Sequence, residues 1–162
     1  MKKIWNKKRG SESALWDDHV EQIHDPLLEV APGLFQVSAS YFTIPKYRNM
    51  TLLELPTGGL LVHSPIALPE AAMAEIEELG QPKLLFVSNK SASSRVDLKV
   101  YRERYPDAKI IVPQGIADSL KEEVEIEGFV EEELKNIDSG FLFIEPPLKE
   151  LKGTDYNTHS YA

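Results

Sequence analysis

Cysteine is absent from the 162 residues, which excludes disulfides, thiolate-bound metal centres and a thiol nucleophile together. Positive charge is scarce: 18 Lys plus Arg stand against 26 Asp plus Glu, a formal charge of −8. No general electrostatic attraction to nucleic acid or anionic lipid is expected from that balance. Long apolar runs are missing as well, and none approaches the roughly 18 residues of a membrane span. The basic stretch Met1 to Gly10 leads into Ser11, Glu12 and Ser13 rather than an apolar signal segment. A cytoplasmic protein without nucleic-acid or membrane partners is the expectation. Three phosphate or nucleophile motifs are also lacking: the G-x-S-x-G elbow, the Walker-type loop and G-x-G-x-x-G after a strand.

What is present suffices for one core: 42% of the residues are apolar, a proportion that suits a single domain of this length. Residues 1–29 mix charge with loosely helical apolar positions, Leu15, Trp16, Val20 and Ile23, and read as a tail or lead-in helix. The domain proper is assigned to residues 30–162. Leu34, Phe35 and Val37, then Tyr41, Phe42 and Ile44, suggest two short strands. Met50 to Leu55 and Leu60 to His63 flank Pro56, Thr57, Gly58 and Gly59, a hairpin signal because glycine reaches positive φ at little steric cost.

Pro69 and Glu70 open a helix with Ala72, Met73, Ile76 and Leu79 on one side, stopped by Gly80 and Pro82. Leu84 to Val87 is continuous apolar and short, the pattern of a strand covered on both faces. A second helix is predicted from about Ser94 to Tyr105, and a strand from Lys109 to Val112. The order β, α, β, α, β from Leu60 to Val112 implies parallel crossovers of the usual right hand. Beyond it, Ala117 to Val124 suggests a helix, Glu125 to Lys135 is acidic, and Phe141 to Ile144 reads as a strand.

The loop after the buried strand, Ser88 to Asp97, holds hydroxyls, an amide and a few charges. Ser64, Asn89, Lys90, Ser91, Ser93 and Ser94 are the binding candidates, since backbone N–H groups at a helix start attract anions. Ser93 or Ser94 capping the next helix accounts for the serines equally without any ligand. His63, where its strand meets Pro65, is a candidate base or a histidine satisfied by a neighbouring carbonyl. Asp97, Arg95 and Lys90 read as a polar loop mouth or as surface charges on a first helical turn. His19 and His24 stand near Asp17, Asp18 and Asp25, a grouping with superficial metal character. Glu122, Glu123, Glu125, Glu127, Glu131, Glu132 and Glu133 read as a solvated face, or as a surface for a basic partner.

Several short motifs carry a resemblance: Ala31, Pro32, Gly33, Leu34; Asn49 with Met50; Gly59 to Pro65 with His63, Ser64, Pro65; and Asn89 with Lys90, then Tyr105, Pro106, Asp107, Ala108. Over roughly residues 31 to 116 the chain resembles the metallo-β-lactamase superfamily, and within it an uncharacterised domain family. The resemblance implies an α/β (α+β) fold, a metallo-β-lactamase-like αββα sandwich represented mainly by its N-terminal half, with a mixed sheet flanked by helices. It also implies a metal loop of the type His-x-His-x-Asp-His, and those four positions fall here on Asn89, Ser91, Ser93 and Ser94. The His pair of the uncharacterised family falls near Ala92, Ser93 and Ser94.

Zinc prefers imidazole, thiolate or carboxylate, so hydroxyls and an amide are poor substitutes. A zinc site worth on the order of 10 kcal/mol does not survive without its strong ligands. The reading is therefore a domain with an eroded metal site and no cofactor, serving as a binding or structural module for an unknown small molecule or protein. One alternative is a zinc- or iron-dependent ester or phosphoester hydrolase built from His63, His159 and carboxylates such as Asp97 or Asp155. A second is an α/β domain binding a small ligand near Ser64 and Ser88 to Ser91.

Overall fold

The computed structural model describes residues 12–21, 23–40, 47–89, 92–122 and 124–133. A short helix, α1 (Glu12–His19), precedes four antiparallel strands, β1 (Leu28–Ala31), β2 (Leu34–Ser40), β3 (Tyr47–Glu54) and β4 (Leu60–His63). Helix and strand then alternate through α2 (Glu70–Leu79), β5 (Pro82–Phe86), α3 (Ala92–Arg104), β6 (Lys109–Val112), α4 (Gln114–Leu120), β7 (Gly128–Phe129) and α5 (Val130–Glu133). The seven strands form one mixed sheet in chain order, antiparallel up to β4 and parallel from β4 to β7.

The β3–β4 turn follows from its glycines. Gly58 and Gly59 take φ of 80° and 86°, and a Cβ on Gly59 would stand 2.8 Å from the Gln81 carbonyl. Only a residue without a side chain fits so close to that backbone. The expected hairpin and both crossover helices are therefore present. The strand after Gly33 is longer than expected, running without a break to Ser40, whereas Tyr41, Phe42 and Ile44 lie outside the described residues. The same holds for Phe141 to Ile144. The helix expected over Ala117 to Val124 begins earlier, at Gln114, directly after Pro113, which is suited to the entry of a helix.

Side-chain alternation divides the core between the two faces of the sheet. Val37, Met50, Leu52, Val62, Leu85, Ile110 and Val112 face the helices and pack with Met73, Ile76, Leu98, Tyr101 and Leu120. Leu53, Leu55, Leu61 and Ile111 face the other way, joined by the half-buried Leu34, Leu84, Phe86 and Val130. Helices α1 to α4 thus share one face, and among the described residues the short α5 touches the other through Val130.

The lead-in segment belongs to that layer instead of trailing from it. Trp16 is 5% exposed, its indole N–H donates to the Leu68 carbonyl at 3.2 Å, and its ring lies 5.2 Å from Tyr101. The Arg104 guanidinium stands 4.6 Å over the indole and reaches Glu70 and Glu77 at 2.7 and 3.0 Å. Trp16, with the half-buried Val20 and Leu27, supplies apolar area that a charged segment needs to dock. Strand β1 was missed in the sequence because Leu28 and Val30 are exposed, at 62% and 48%, so no buried alternation marks them.

The acidic stretch after α4 also makes contacts to the sheet and to α3 and α4. Glu127 accepts from Arg102 at 2.7 Å and from the Ile110 backbone N–H at 2.9 Å, while Glu131 accepts from the Gln114 N–H at 3.2 Å. Glu133 pairs with Lys109. These carboxylates fasten β7 and α5 to the parallel half of the sheet, while Glu122, Glu125, Glu127, Glu131 and Glu132 are exposed, as expected of a solvated face.

Trp16→Ala is expected to lower unfolding free energy by about 3 to 5 kcal/mol, the range for deleting a large buried aromatic, as measured by urea denaturation. A loss below about 1 kcal/mol would show that α1 contributes little to the core.

Candidate functional site

Strands β4 and β5 pair in parallel with His63 opposite Phe86. The ladder extends one residue further, because the Ser64 N–H donates to the Phe86 carbonyl at 2.8 Å. Ser64 does so with φ of 54°, the one non-glycine residue at positive φ among those described. Left-handed backbone is uncommon for a serine and costs free energy that the surrounding structure must offset. Pro65 follows and is buried, so the chain leaves the strand in a fixed direction.

That geometry sets the imidazole. His63 lies on the sheet face away from the helices, in the cross-strand row Gln36, Thr51, His63, Phe86, Ile111. Its ring packs on Phe86 with centroids 4.6 Å apart. His63 Nε2 stands 3.3 Å from the Ser64 hydroxyl and 3.4 Å from the Ser88 hydroxyl. One nitrogen offers either one lone pair or one proton, so the two serines share it by turns. Burial pushes the His63 pKa below 6.5, which leaves the ring neutral at neutral pH. Nearby on the same face, the Ser38 hydroxyl donates to the Asn49 side-chain oxygen at 2.8 Å.

Ser64, Ser88 and Asn89 are thus gathered with His63 at the carboxyl ends of β4 and β5, the edge where open α/β sheets carry their sites. Ser88 and Asn89 are exposed, and Ser64 is half-buried. Lys90 and Ser91 lie outside the described residues, as do the side chains of Ser93, Ser94 and Arg95. Ser93 and Ser94 belong by backbone to the first turn of α3. His159 and Asp155 also lie outside the described residues.

Asp97 occupies a different environment from the expected surface charge. It is 4% exposed and accepts a hydrogen bond from Arg48, which also reaches Glu21 at 3.2 Å. Arg48 pairs across β2 with Ala39, a residue of the helix-side core, so this ion group lies beneath α1 and α3 on the face opposite His63. The structure does not bring Asp97 to the histidine. Sequence reasoning missed this role for Arg48, although the signal was there: Arg48, Met50 and Leu52 alternate in phase, and a cation in phase with core positions demands a buried anion. His24 bonds through Nδ1 with the Asp25 carbonyl at 2.9 Å.

Burial pushes the Asp97 pKa up to about 6, outweighing the opposing pull of Arg48; Glu21 raises it further and His19 lowers it. The folded state holds this proton more tightly than the unfolded chain. Its stabilising contribution is complete below about pH 4 and is lost as pH rises through about 6, a change of about 3 kcal/mol. In denaturation curves the stability of the protein relative to Asp97→Asn is expected to fall by that amount as pH rises from about 4 to above 6. His63 is expected to titrate by NMR with a midpoint below 6.5, and a midpoint above 7 would contradict its burial against Phe86.

Among solved structures, the chain is similar to the DIM-1 metallo-β-lactamase exposed to ceftazidime, with a TM-score of 0.52 and 11% identity over 70% of this chain and 53% of that one. The FIM-1 metallo-β-lactamase from Pseudomonas aeruginosa, in its mono-zinc form, gives a TM-score of 0.47 and 9% identity over 68% and 52% of the two chains. The chain spans about half the length of these structures. No protein-family model and no curated protein matches the sequence. No helix among the described residues is long and apolar enough to cross a membrane. An identity of 11% concerns architecture alone, and on that footing the mixed sheet with its helical layer is a metallo-β-lactamase-like fold.

Proposed function

We propose that this domain binds a small hydrogen-bonding ligand at the His63, Ser64 and Ser88 corner and does so without a resident metal. The observation that carries this reading is the surroundings of His63 Nε2, two serine hydroxyls at 3.3 and 3.4 Å where a zinc centre would need further imidazoles or carboxylates. Among the described residues no three His, Cys, Asp or Glu side chains gather as a metal-holding group. Asp97, the nearest carboxylate in sequence to the serine loop, is engaged by Arg48 on the opposite face. Zinc chemistry does not fit these donors, because neutral hydroxyls neither neutralise the cation nor match its preference for nitrogen and anionic ligands.

What remains suits recognition. An imidazole and two hydroxyls offer both donors and acceptors, and Phe86 supplies an apolar wall beside them. The site sits on strand ends and holds its geometry through backbone pairing, so little is lost in ordering it upon binding.

Purified protein incubated with excess zinc and dialysed is expected to retain less than about 0.1 equivalents by elemental analysis, as a site without strong ligands should. Retention of one equivalent, abolished by His63→Ala, would overturn the metal-free reading.

A further inference from the structure

We infer that Ser88 and His63 form a nucleophile and general-base pair that accepts an acyl group from an activated carboxylic ester with a small apolar acyl chain. The inference rests on the metal-free reading of the same corner and adds a reaction to it.

Reach comes first. Ser88 Oγ lies 3.4 Å from His63 Nε2, long for a working hydrogen bond but within the range that tightens when a substrate is bound. Access separates the two serines, because the Ser88 hydroxyl is exposed whereas Ser64 is half-buried beneath its own turn. Ser88 also stands at the carboxyl end of a parallel strand that leads through a short loop into α3, the placement that lets a nucleophile project from a rigid support.

Ser64 has a positioning role. Its left-handed backbone, φ 54°, is fixed by the bond to the Phe86 carbonyl, and it holds its hydroxyl 3.3 Å from Nε2. Once Nε2 has taken the Ser88 proton it becomes a donor, and the Ser64 oxygen is in place to accept from it. Strain of this kind at a non-glycine residue often marks a site where geometry matters more than local stability. The half-buried rings and chains of Phe86 and Leu84 lie on the same sheet face as the imidazole and would contact a small apolar acyl group. Burial keeps His63 neutral at pH 7, the state a general base requires.

The chemistry balances without a metal or redox partner. Ser88 Oγ bonds to the ester carbonyl carbon while its proton passes to His63 Nε2. The bond from that carbon to the leaving oxygen breaks, and the leaving alcohol takes the proton. Water then attacks the acyl-serine, gives a proton to Nε2, and Ser88 recovers it as the carboxylic acid departs.

The full chain, held in a metal chelator, is treated with a fluorophosphonate that traps activated serines, and the adduct is located by tryptic mass mapping. Residues 84–90 form one tryptic peptide in which Ser88 is the sole hydroxyl residue, while Ser64 falls in the separate peptide 49–83. The expected result is one adduct per chain on residues 84–90, with labelling at least about tenfold slower in Ser88→Ala and His63→Gln. Ser119→Ala, which alters an exposed hydroxyl on α4, should match the parent. No adduct above that on heat-unfolded protein, or an adduct on residues 49–83, overturns the assignment. Absence of labelling in protein that also excludes zinc sinks this pair alone, whereas labelling that requires added zinc sinks both readings.

Discussion

The parallel pairing of β4 with β5, in the register that sets His63 opposite Phe86, is the constraint on which the candidate site depends. A slip of one residue would turn His63 to the helical side and bring Val62 out of the core, since successive strand residues point to opposite faces. The register is held by core burial on both faces: Val62 and Leu85 are fully buried on one, and Leu61 joins Leu84 on the other. The bond from the Ser64 N–H to the Phe86 carbonyl carries the same register past the end of β4.

The sheet also keeps two kinds of polar chemistry apart. On the helical side Arg48 joins Glu21 and Asp97, an arrangement that ties the end of the α1 segment to β3 and α3. Removing one partner from this group leaves an uncompensated buried charge. On the other side the histidine corner is uncharged at neutral pH, with Ser88 exposed and His63 and Ser64 half-buried at the strand ends, while Lys109 pairs with Glu133 elsewhere on that face. One face of the sheet thus engages a carboxylate in packing, and the other sets a histidine against two hydroxyls.

The sequence showed the parallel half of the sheet clearly because buried strands there are short, continuous and apolar, as in Leu84 to Val87, and the intervening helices carry their own stops at Gly80 and Pro106. It also led to Ser64 and Ser88 to Ser91 as one candidate region at the strand ends, with His63 as a separate candidate. Three features were hidden for physical reasons. The docking of Trp16 on the core was hidden because the apolar positions around it, Leu15, Val20 and Ile23, are only loosely spaced and set among charges. The exposed Leu28 and Val30 belong to an edge strand whose pairing depends on backbone groups, not on pattern. Asp97 was read as a helix-terminal charge, and its burial follows from Arg48, 49 residues away, a contact that no local rule could supply.

The central claim is that His63 presents an unprotonated Nε2 to Ser88, free of metal. A long-range proton–nitrogen correlation spectrum of uniformly labelled protein near pH 7.5 reads this state directly, because the two ring nitrogens differ according to which one carries the proton. The expected spectrum shows His63 neutral, with the proton on Nδ1 and with shifts unchanged by added zinc. A spectrum with the proton on Nε2, or one that moves to a metal-bound pattern at stoichiometric zinc, would contradict the account.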